Sequence, residues 1–524
     1  MAPRPFLILI SLGILTLEAW GCASAPRLKK SAVPNPQQEI LRIAERKILP
    51  SISPKAYAHY SMGMIYDNEG NASKAREEYL KAIEFDPEAA SLYYRLGVSY
   101  IKLGEVKEAT SSLKKSVELD EKNSRARFLL ALIYTSQKKY DEATSQYEQI
   151  LKSEPKDLAS LTSLADLYIL GQDLDRAIEI YENLVKEKKD SPIIHFNLGI
   201  VYARAARVDD AVAALKKAVE LKPDYLEAHL ALAVLFEVNN RLEDAVSHYK
   251  ESLKFDPVNT KLYRQLAKLY FRMDKEQEAI HQYKLLLKLD PEDVVGYIEL
   301  SYVYVASSRI GDAIEVLEEA LKLNKRTQDV HMALGFCYSE KGNKLLAINE
   351  YKKSIEIDPF NSKAYFYLGA IFEKIGEREK AILELKKAAE LDPEDPETLN
   401  YLGYIYAEEG RNLDEAEELI QKALEVYPEN GAYIDSLGWV YYKKGMFEEA
   451  RIELEKAKEI LGDDPVICDH LGDVYFKIGF FDKAEEAWRK SIELQDDDAV
   501  RKKLEDIGKR NSRLSGVAGP VEQR

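Results

Sequence analysis

The sequence predicts an all-α solenoid of helix-turn-helix repeats, on the strength of three observations. The stretch 362–395 forms a pattern of two short amphipathic helices, with a turn at Gly376 and a stop at Pro393. The same pattern of small, aromatic and proline residues recurs every 34 residues over 56–498, broken by a single one-residue insertion. The alternation of apolar and polar residues that is typical of half-buried strands is absent from the sequence.

Each repeat can be numbered by place, with place one at residues 56, 90, 124, 158, 192, 226, 260, 294, 328, 362, 396, 431 and 465. Place twenty is Ala in all thirteen repeats, because helix axes ~8–10 Å apart leave room only for a small side chain. Place eight is Gly, Ala or Ser. Place eleven is Tyr in eleven repeats and Phe at Phe236 and Phe372, and its ring fills the space that the small residues leave.

The stretch 362–395 resembles the tetratricopeptide repeat (TPR) family, through Gly369 at place eight, Phe372 at place eleven, Ala381 at place twenty and Ala388 at place twenty-seven. The resemblance implies a right-handed superhelical α-solenoid of about thirteen TPR helix-turn-helix repeats. It also implies that places two, five, nine, twelve and thirteen of each first helix line a concave groove. A repeat of this size cannot bury its apolar face alone, so neighbours stack and the two ends need polar caps.

The composition of the chain argues against several classes of function. The chain has 524 residues, of which 31% are charged, and a net charge of −16, which argues against a nucleic-acid partner. It has three cysteines and no Cys/His spacing typical of zinc, so neither a disulfide framework nor a metal site is expected. No glycine-rich phosphate loop occurs, and no cofactor is expected.

The N-terminus has the pattern of a signal peptide over residues 1–21. Its apolar run, Phe6 to Leu17, is shorter than the ~20 residues that span a bilayer and is typical of a secretory signal. The sequence Ala-Trp-Gly-Cys that ends at Cys22 resembles the lipobox of bacterial lipoproteins, which implies lipidation of Cys22. Because Ala23 follows instead of Asp, the sorting rule of many two-membrane bacteria implies the outer membrane, with the protein facing the periplasm. The alternative is secretion as a soluble protein after cleavage at Ala25.

The remaining segments follow from composition and periodicity. Residues 22–37 are rich in Pro and polar groups and are predicted to be a lipid-tether linker. Residues 38–55 are predicted to be an N-terminal capping helix, 56–498 the thirteen repeats, 499–510 a C-terminal capping helix and 511–524 a disordered tail. Residues 499–524 carry a net charge of +4, from seven Lys or Arg and three Asp or Glu, and this basic end either meets an acidic surface or is simply solvated.

The histidines are interpreted as packing residues. Four of them share place four with Tyr or Phe of other repeats: His59, His195, His229 and His331. No Ser, Cys or carboxylate is spaced to make a catalytic relay with them, and no His-Glu-x-x-His motif occurs. Strand patterns and a second domain are also missing, so no enzymatic activity is expected.

The predicted groove is largely apolar, which favours the binding of a helix or an extended peptide. The alternative is that stacking of the repeats buries these side chains. The candidate contact residues are Tyr57, Tyr60, Tyr94, Phe196, Tyr302, Phe336, Trp439 and Tyr442.

The seventh repeat differs by carrying four cations on one helix face, at spacings of three and four: Lys261, Arg264, Lys268 and Arg272. One hypothesis makes this patch an anchor for an acidic peptide or an anionic glycan. The alternative is that Glu227 and Glu237 of the preceding repeat neutralise it.

Taken together, these patterns predict a non-catalytic scaffold, anchored in a bacterial membrane, that binds protein or peptide partners in envelope assembly or secretion. A more specific version rests on resemblance to TPR lipoproteins of exopolysaccharide export or pilus assembly. A third hypothesis is an accessory subunit that regulates a glycan-processing enzyme, with polysaccharide machinery as the partner.

Overall fold

The computed structural model describes residues 53–323 and 327–517, which form 27 α-helices and no strand. The predicted signal peptide, Cys22, the tether 22–37 and most of the predicted capping helix 38–55 lie outside the described residues. The chain divides into two compact units between Arg241 and Leu242.

The first unit contains eleven helices. Their bounds are α1 Pro54–Asn68, α2 Ala72–Phe85, α3 Ala90–Leu103, α4 Val106–Leu119, α5 Ser124–Ser136, α6 Tyr140–Ser153, α7 Leu158–Leu170, α8 Leu174–Glu187, α9 Pro192–Arg204, α10 Val208–Leu221 and α11 Leu226–Val238.

The second unit contains sixteen helices. Their bounds are α12 Leu242–Phe255, α13 Thr260–Arg272, α14 Glu276–Leu289, α15 Val294–Ala306, α16 Ile310–Lys322, α17 Gln328–Glu340, α18 Lys344–Ile357, α19 Ser362–Lys374, α20 Arg378–Leu391, α21 Pro396–Glu409, α22 Leu413–Val426, α23 Gly431–Lys444, α24 Phe447–Leu461, α25 Pro465–Ile478, α26 Phe481–Leu494 and α27 Asp498–Val517.

The helices confirm the predicted repeats. Every odd-numbered helix from α1 to α25 is the first helix of one repeat, and the next helix is its second. Inside each unit the two helices of a repeat pack together, and each second helix packs on the first helix that follows it. Place twenty is fully buried throughout, as at Ala177 and Ala381. A Cβ added at Gly369 would lie 2.8 Å from the Leu385 side chain, which shows why place eight stays small.

The turn between the two helices of a repeat requires a left-handed residue at place fifteen. Gly supplies it in seven repeats, with φ of +80° at Gly376 for example. In the other six repeats a residue with a side chain adopts this conformation: Lys138, Gln172, Ala206, Asn240, Asp274 and Ser308. The one-residue insertion adds a further left-handed residue, Asn412, just before α22.

Neighbouring repeats are joined by a second regular contact, which the sequence alone did not reveal. Place twenty-five of a second helix meets place eleven of the next first helix. Where place twenty-five is Glu, the tyrosine hydroxyl donates to it at 2.7–3.5 Å, in the pairs Glu148–Tyr168, Glu182–Tyr202, Glu318–Tyr338 and Glu455–Tyr475. Where it is Lys, the ammonium lies 5.5–6.0 Å from the ring centroid, in the pairs Lys114–Tyr134, Lys216–Phe236, Lys250–Tyr270, Lys284–Tyr304, Lys352–Phe372 and Lys386–Tyr406.

The C-terminal helix is longer than predicted. The sequence predicts a capping helix that ends at residue 510 and a disordered tail over 511–524, but α27 continues to Val517. No Pro or Gly interrupts the helix between Gly508 and Gly516, so nothing in that stretch stops it. Its buried residues Val500 and Ile507 pack with Trp488 of the last repeat, as a cap requires.

Candidate functional site: the first-helix face

The candidate site is the set of side chains at places two, five, nine, twelve and thirteen of the first helices, called here the first-helix face. These spacings of three, four, three and one put all five places on one side of a helix.

Three of the eight predicted contact residues are not on the surface. Tyr60, Tyr94 and Trp439 are buried, with 8%, 2% and 7% of their surface exposed. Tyr60 packs between Tyr57 and Tyr79, at centroid distances of 6.4 and 6.1 Å. The packing of the helices therefore buries these three aromatic side chains, as the alternative expected, and leaves them little surface for a ligand.

The other five predicted residues remain partly open. Tyr57 is 45% exposed, and four residues are half-buried: Phe196, Tyr302, Phe336 and Tyr442. More strongly exposed apolar residues lie on the same face at places two and thirteen. They are Leu170 (56%), Ile193 (59%) and Val238 (78%) in the first unit, and Val295 (52%) and Val466 (46%) in the second. The repeat register alone could have singled out Val238, Val295 and Val466.

Trp439 is the centre of a closed cluster at the twelfth repeat. Its ring stacks on Tyr442 at 4.7 Å and on His470 of the next first helix at 4.0 Å. Its indole N–H donates to Glu408 Oε1 at 2.6 Å, and the Lys443 ammonium lies 4.8 Å from the ring. The cluster joins three repeats and holds this part of the face together, and Trp439 has little surface left for a ligand.

His470 makes a buried contact that the sequence analysis missed. Its Nδ1 lies 3.0 Å from Asp435 Oδ1 of the preceding first helix. Burial works against the charged form of His470, but the charge of Asp435 and this hydrogen bond outweigh burial, so the pKa of His470 is raised. The pair is a structural contact that favours a protonated imidazole.

The basic patch on α13 is partly neutralised. Arg264 pairs with Asp293, and its Nε lies 2.9 Å from Glu299 Oε2, while Lys268 Nζ lies 2.9 Å from Glu299 Oε1. Glu299 belongs to the following repeat and Asp293 caps the first helix of that repeat, α15, whereas the sequence predicted partners on the preceding repeat. Lys261 and Arg272 are exposed at the two ends of the same face.

The histidines at place four have packing and hydrogen-bonding roles. His195, His229 and His331 are buried. His195 Nε2 and His229 Nε2 lie 2.9 and 3.0 Å from the backbone carbonyls of Lys189 and Pro223. In the same way His331 Nδ1 lies 2.7 Å from a carboxylate oxygen of buried Glu350, and His59 Nδ1 lies 2.7 Å from that of Glu78.

The described residues give little indication of nucleophilic or metal-binding chemistry. Cys337 is fully buried, and burial raises the pKa of its thiol to about 12, which disfavours the nucleophilic thiolate. Residues 53–323 and 327–517 contain no group of three or more His, Cys, Asp or Glu arranged for a metal ion. No helix within these ranges has the length and hydropathy needed to cross a bilayer.

Models of one repeat family match much of the chain. Those described as tetratricopeptide repeat match residues 196–260, 402–465, 134–199, 350–382, 260–293 and 328–361, and one described as TPR repeat matches 374–410. Together they cover more than half of the 524 residues. A model described as anaphase-promoting complex, cyclosome, subunit 3 matches residues 66–150.

Solved structures show distant similarity. A chain of the APC/C hetero-tetramer Cut9-Hcn1 is 16% identical with a TM-score of 0.41, covering 87% of this chain and 97% of that chain. One of Naa15/Naa10 bound to HypK-THB is 14% identical with a TM-score of 0.34, covering 89% and 98%. MamA is 28% identical with a TM-score of 0.27, covering 30% and 93%. Similarity at these TM-scores supports no inference about partners, and no curated protein matches the sequence significantly.

Proposed function

Since the chain belongs to the tetratricopeptide repeat family, we propose that it is a non-catalytic scaffold that binds protein or peptide partners on its first-helix face. The observation that carries the proposal is the exposure of apolar side chains there, at 56% for Leu170, 59% for Ile193 and 78% for Val238. These side chains contribute little to the packing of the repeats while they stay in water. Covering them with a partner would be favourable, at about 25 cal/mol per Å² of apolar surface.

We further propose that a lipid on Cys22 holds the scaffold at the bacterial outer membrane, facing the periplasm, where it serves envelope assembly or secretion. Support comes from the apolar run Phe6 to Leu17, the lipobox-like residues that end at Cys22, and the polar segment 22–37. More than one acyl chain gives stable anchoring, since each buried CH₂ contributes ~0.8 kcal/mol.

The glycan-linked alternatives, exopolysaccharide export and regulation of a glycan-processing enzyme, depend most on the cations of α13. Arg264 and Lys268 already contact Glu299, and Arg264 also contacts Asp293. An anionic glycan would have to displace these carboxylates, which weakens the case for it. A peptide scaffold is therefore the better-supported function.

The anchor is tested by cell fractionation of wild type and Cys22→Ser. Membrane association that is lost in the variant supports the lipid anchor, and a variant that stays in the membrane fraction refutes it.

The binding face is tested by crosslinking and affinity capture from membranes with the variant Ile193→Asp/Val238→Asp. We expect this variant to lose crosslinked partners that the wild type retains. The control is Leu345→Asp/Leu383→Asp, which changes residues that are 77% and 66% exposed but lie on the second helices α18 and α20. Equal capture by all three proteins would mean that the first-helix face is not the binding surface.

A further inference from the structure

Asp166 is the carboxylate at place nine of the fourth repeat, on a largely apolar part of the first-helix face whose other charged residues are Arg204, Glu227 and Glu237. Its side chain is exposed, and no ion pair within the described residues includes it. Among the described residues its one hydrogen-bond partner is the hydroxyl of buried Tyr181, which donates to Oδ1 at 3.5 Å and accepts from Asn197 Nδ2 at 3.4 Å. The carboxylate is thus oriented but has most of its acceptor capacity left.

Other junctions in the second unit show which residues a place-nine side chain meets. It contacts place five or six of the next first helix. Examples are Lys268 with Glu299, Trp439 with His470, and Asp473 with Lys503 of α27, which takes the position of a further first helix. Each of these side chains finds a chemical complement in the neighbouring repeat.

The junction at Asp473 shows what a carboxylate at place nine binds. The Lys503 ammonium lies 2.7 Å from Asp473 Oδ1 and 2.7 Å from Asp469 Oδ1. The equivalent position after Asp166 is Phe196, and the next residue is Asn197. Neither is a cation. The charge of Arg204, at place thirteen of α9, acts on Asp166, but among the described residues Asp166 has no direct ion pair like that of Asp473 with Lys503.

The surroundings of Asp166 would favour apolar groups next to such a cation. Leu170 and Ile193 are more than half exposed, and Phe196 is half-buried against Tyr225 at 5.1 Å. Further apolar side chains on α7, α9 and α11 are Ile169, Ile200, Leu230, Val234 and Val238. Burial raises the pKa of Asp166, against smaller lowering effects of the Tyr181 hydrogen bond and the Arg204 charge.

We propose that the apolar first-helix face of α7, α9 and α11 binds a cationic apolar peptide segment of a partner protein, with the carboxylate of Asp166 receiving a Lys or Arg side chain of that segment. The inference rests on the proposed scaffold function and adds the chemistry of the partner. The neighbouring side chains Leu170, Ile193 and Phe196 contact the aliphatic residues on either side of the cation. The occupant is a cationic peptide with apolar side chains because the acids of this face, Asp166, Glu227 and Glu237, outnumber its cation, Arg204, and lie among aliphatic groups.

The test measures binding of fluorescent peptides to the full chain by anisotropy. The probe is a short peptide of Leu and Ser with one central Lys, and two analogues carry Glu or Gln in place of the Lys. We expect the Lys peptide to bind best, and Asp166→Asn to weaken it roughly tenfold, as loss of a charge-assisted hydrogen bond predicts. Asp209→Asn is the matched control, because Asp209 is an exposed acid on the second helix α10 of the next repeat.

A second variant separates binding from structure. Tyr181→Phe removes the hydrogen bond to Asp166 but keeps the carboxylate and the buried ring, so we expect the Lys peptide to bind within about twofold of wild type, well short of the loss at Asp166→Asn. If Tyr181→Phe weakens binding as much as Asp166→Asn does, the carboxylate acts only through the fold and the proposal is overturned.

Three other outcomes also contradict the proposal. They are equal binding of the Lys, Glu and Gln peptides, binding of spermine but not of the Lys peptide, and self-association of the chain that Asp166→Asn abolishes.

Crosslinking in membranes distinguishes failure of the proposal about Asp166 from failure of the proposed scaffold function. Partners that wild type and Asp166→Lys capture equally leave the scaffold standing and refute the role of Asp166. Capture of no partner by either protein refutes the scaffold itself.

Discussion

The contact between Glu182 and Tyr202 allows a stability prediction to be worked out from the structure. Tyr202 is 8% exposed, and its hydroxyl donates to Glu182 Oε1 at 2.7 Å. Burial, with this carboxylate, raises the pKa of Tyr202 to about 12. The substitution Glu182→Lys removes the acceptor of a buried hydroxyl, and we expect it to destabilise the junction of α8 and α9 by about 1–2 kcal/mol.

The compensating change is Tyr202→Phe. Alone it should cost about 1 kcal/mol, because it leaves Glu182 without its donor. Combined with Glu182→Lys it recreates the arrangement around Phe236, where Lys216 and Arg241 lie 5.9 and 4.4 Å from the ring centroid. A cation over a partly exposed ring contributes about 0.5–1 kcal/mol. The double variant should therefore recover most of the loss, with a coupling free energy of about 1–2 kcal/mol.

The measurement is hydrogen exchange of peptides from α8 and α9, detected by mass spectrometry. A repeat array need not unfold in one step, so local opening free energies are more informative than one global transition. The matched control is Glu179→Lys, which makes the same charge change at an exposed residue of α8. If the two single costs simply add in the double variant, the residues do not interact as the structure indicates.

Two further predictions concern a buried histidine and a turn. Because the folded pKa of His470 is raised, its contact with Asp435 stabilises the fold below the unfolded pKa near 6.5, and this contribution is lost as the pH rises through the folded value. His470→Gln should therefore lower the urea-unfolding free energy more at pH 5 than at pH 9, by about 2 kcal/mol, and equal losses at both pH values would contradict this. Ala206 has a φ of 56°, so Ala206→Gly should stabilise the first unit by about 0.5–1 kcal/mol, measured by hydrogen exchange of α9 and α10. Asn240→Gly, at a residue type that tolerates this conformation, should change exchange less, and a larger gain there would refute the reasoning.

Secondary structure and the contacts within a repeat could be predicted because they depend on residues close in sequence. Ala at place twenty, a small residue at place eight and an aromatic ring at place eleven each serve one local helix pair, and the pattern occurs thirteen times. The turn was harder to predict, since six repeats put a residue with a side chain where Gly is favoured. There the flanking helices impose the left-handed conformation.

The exposed fraction of each side chain on the first-helix face could not be predicted from the register. Tyr57 and Tyr60 are close in sequence and alike in chemistry, yet one is 45% exposed and the other 8%. The difference arises because Tyr60 also packs on Tyr79 of the second helix. The place of a residue therefore indicates which side of a helix it occupies, while its burial depends on the side chains that pack against it.

Contacts from place nine of one repeat to the next first helix explain why the acid that pairs with Lys268 follows the basic patch and does not precede it. The same contacts single out Asp166. Place-nine side chains reach forward to places five and six of the next first helix, so the acid that meets Lys268, Glu299, lies on α15. A conspicuous run of positive charge such as that on α13 is therefore partly paired with acids that the chain itself supplies. Asp166 is a less conspicuous charge, and places five and six of the next first helix are Phe196 and Asn197, neither of which is a cation. In a stacked array, ligand specificity is best sought where a junction lacks its own complement, because there an incoming side chain need not displace an existing contact.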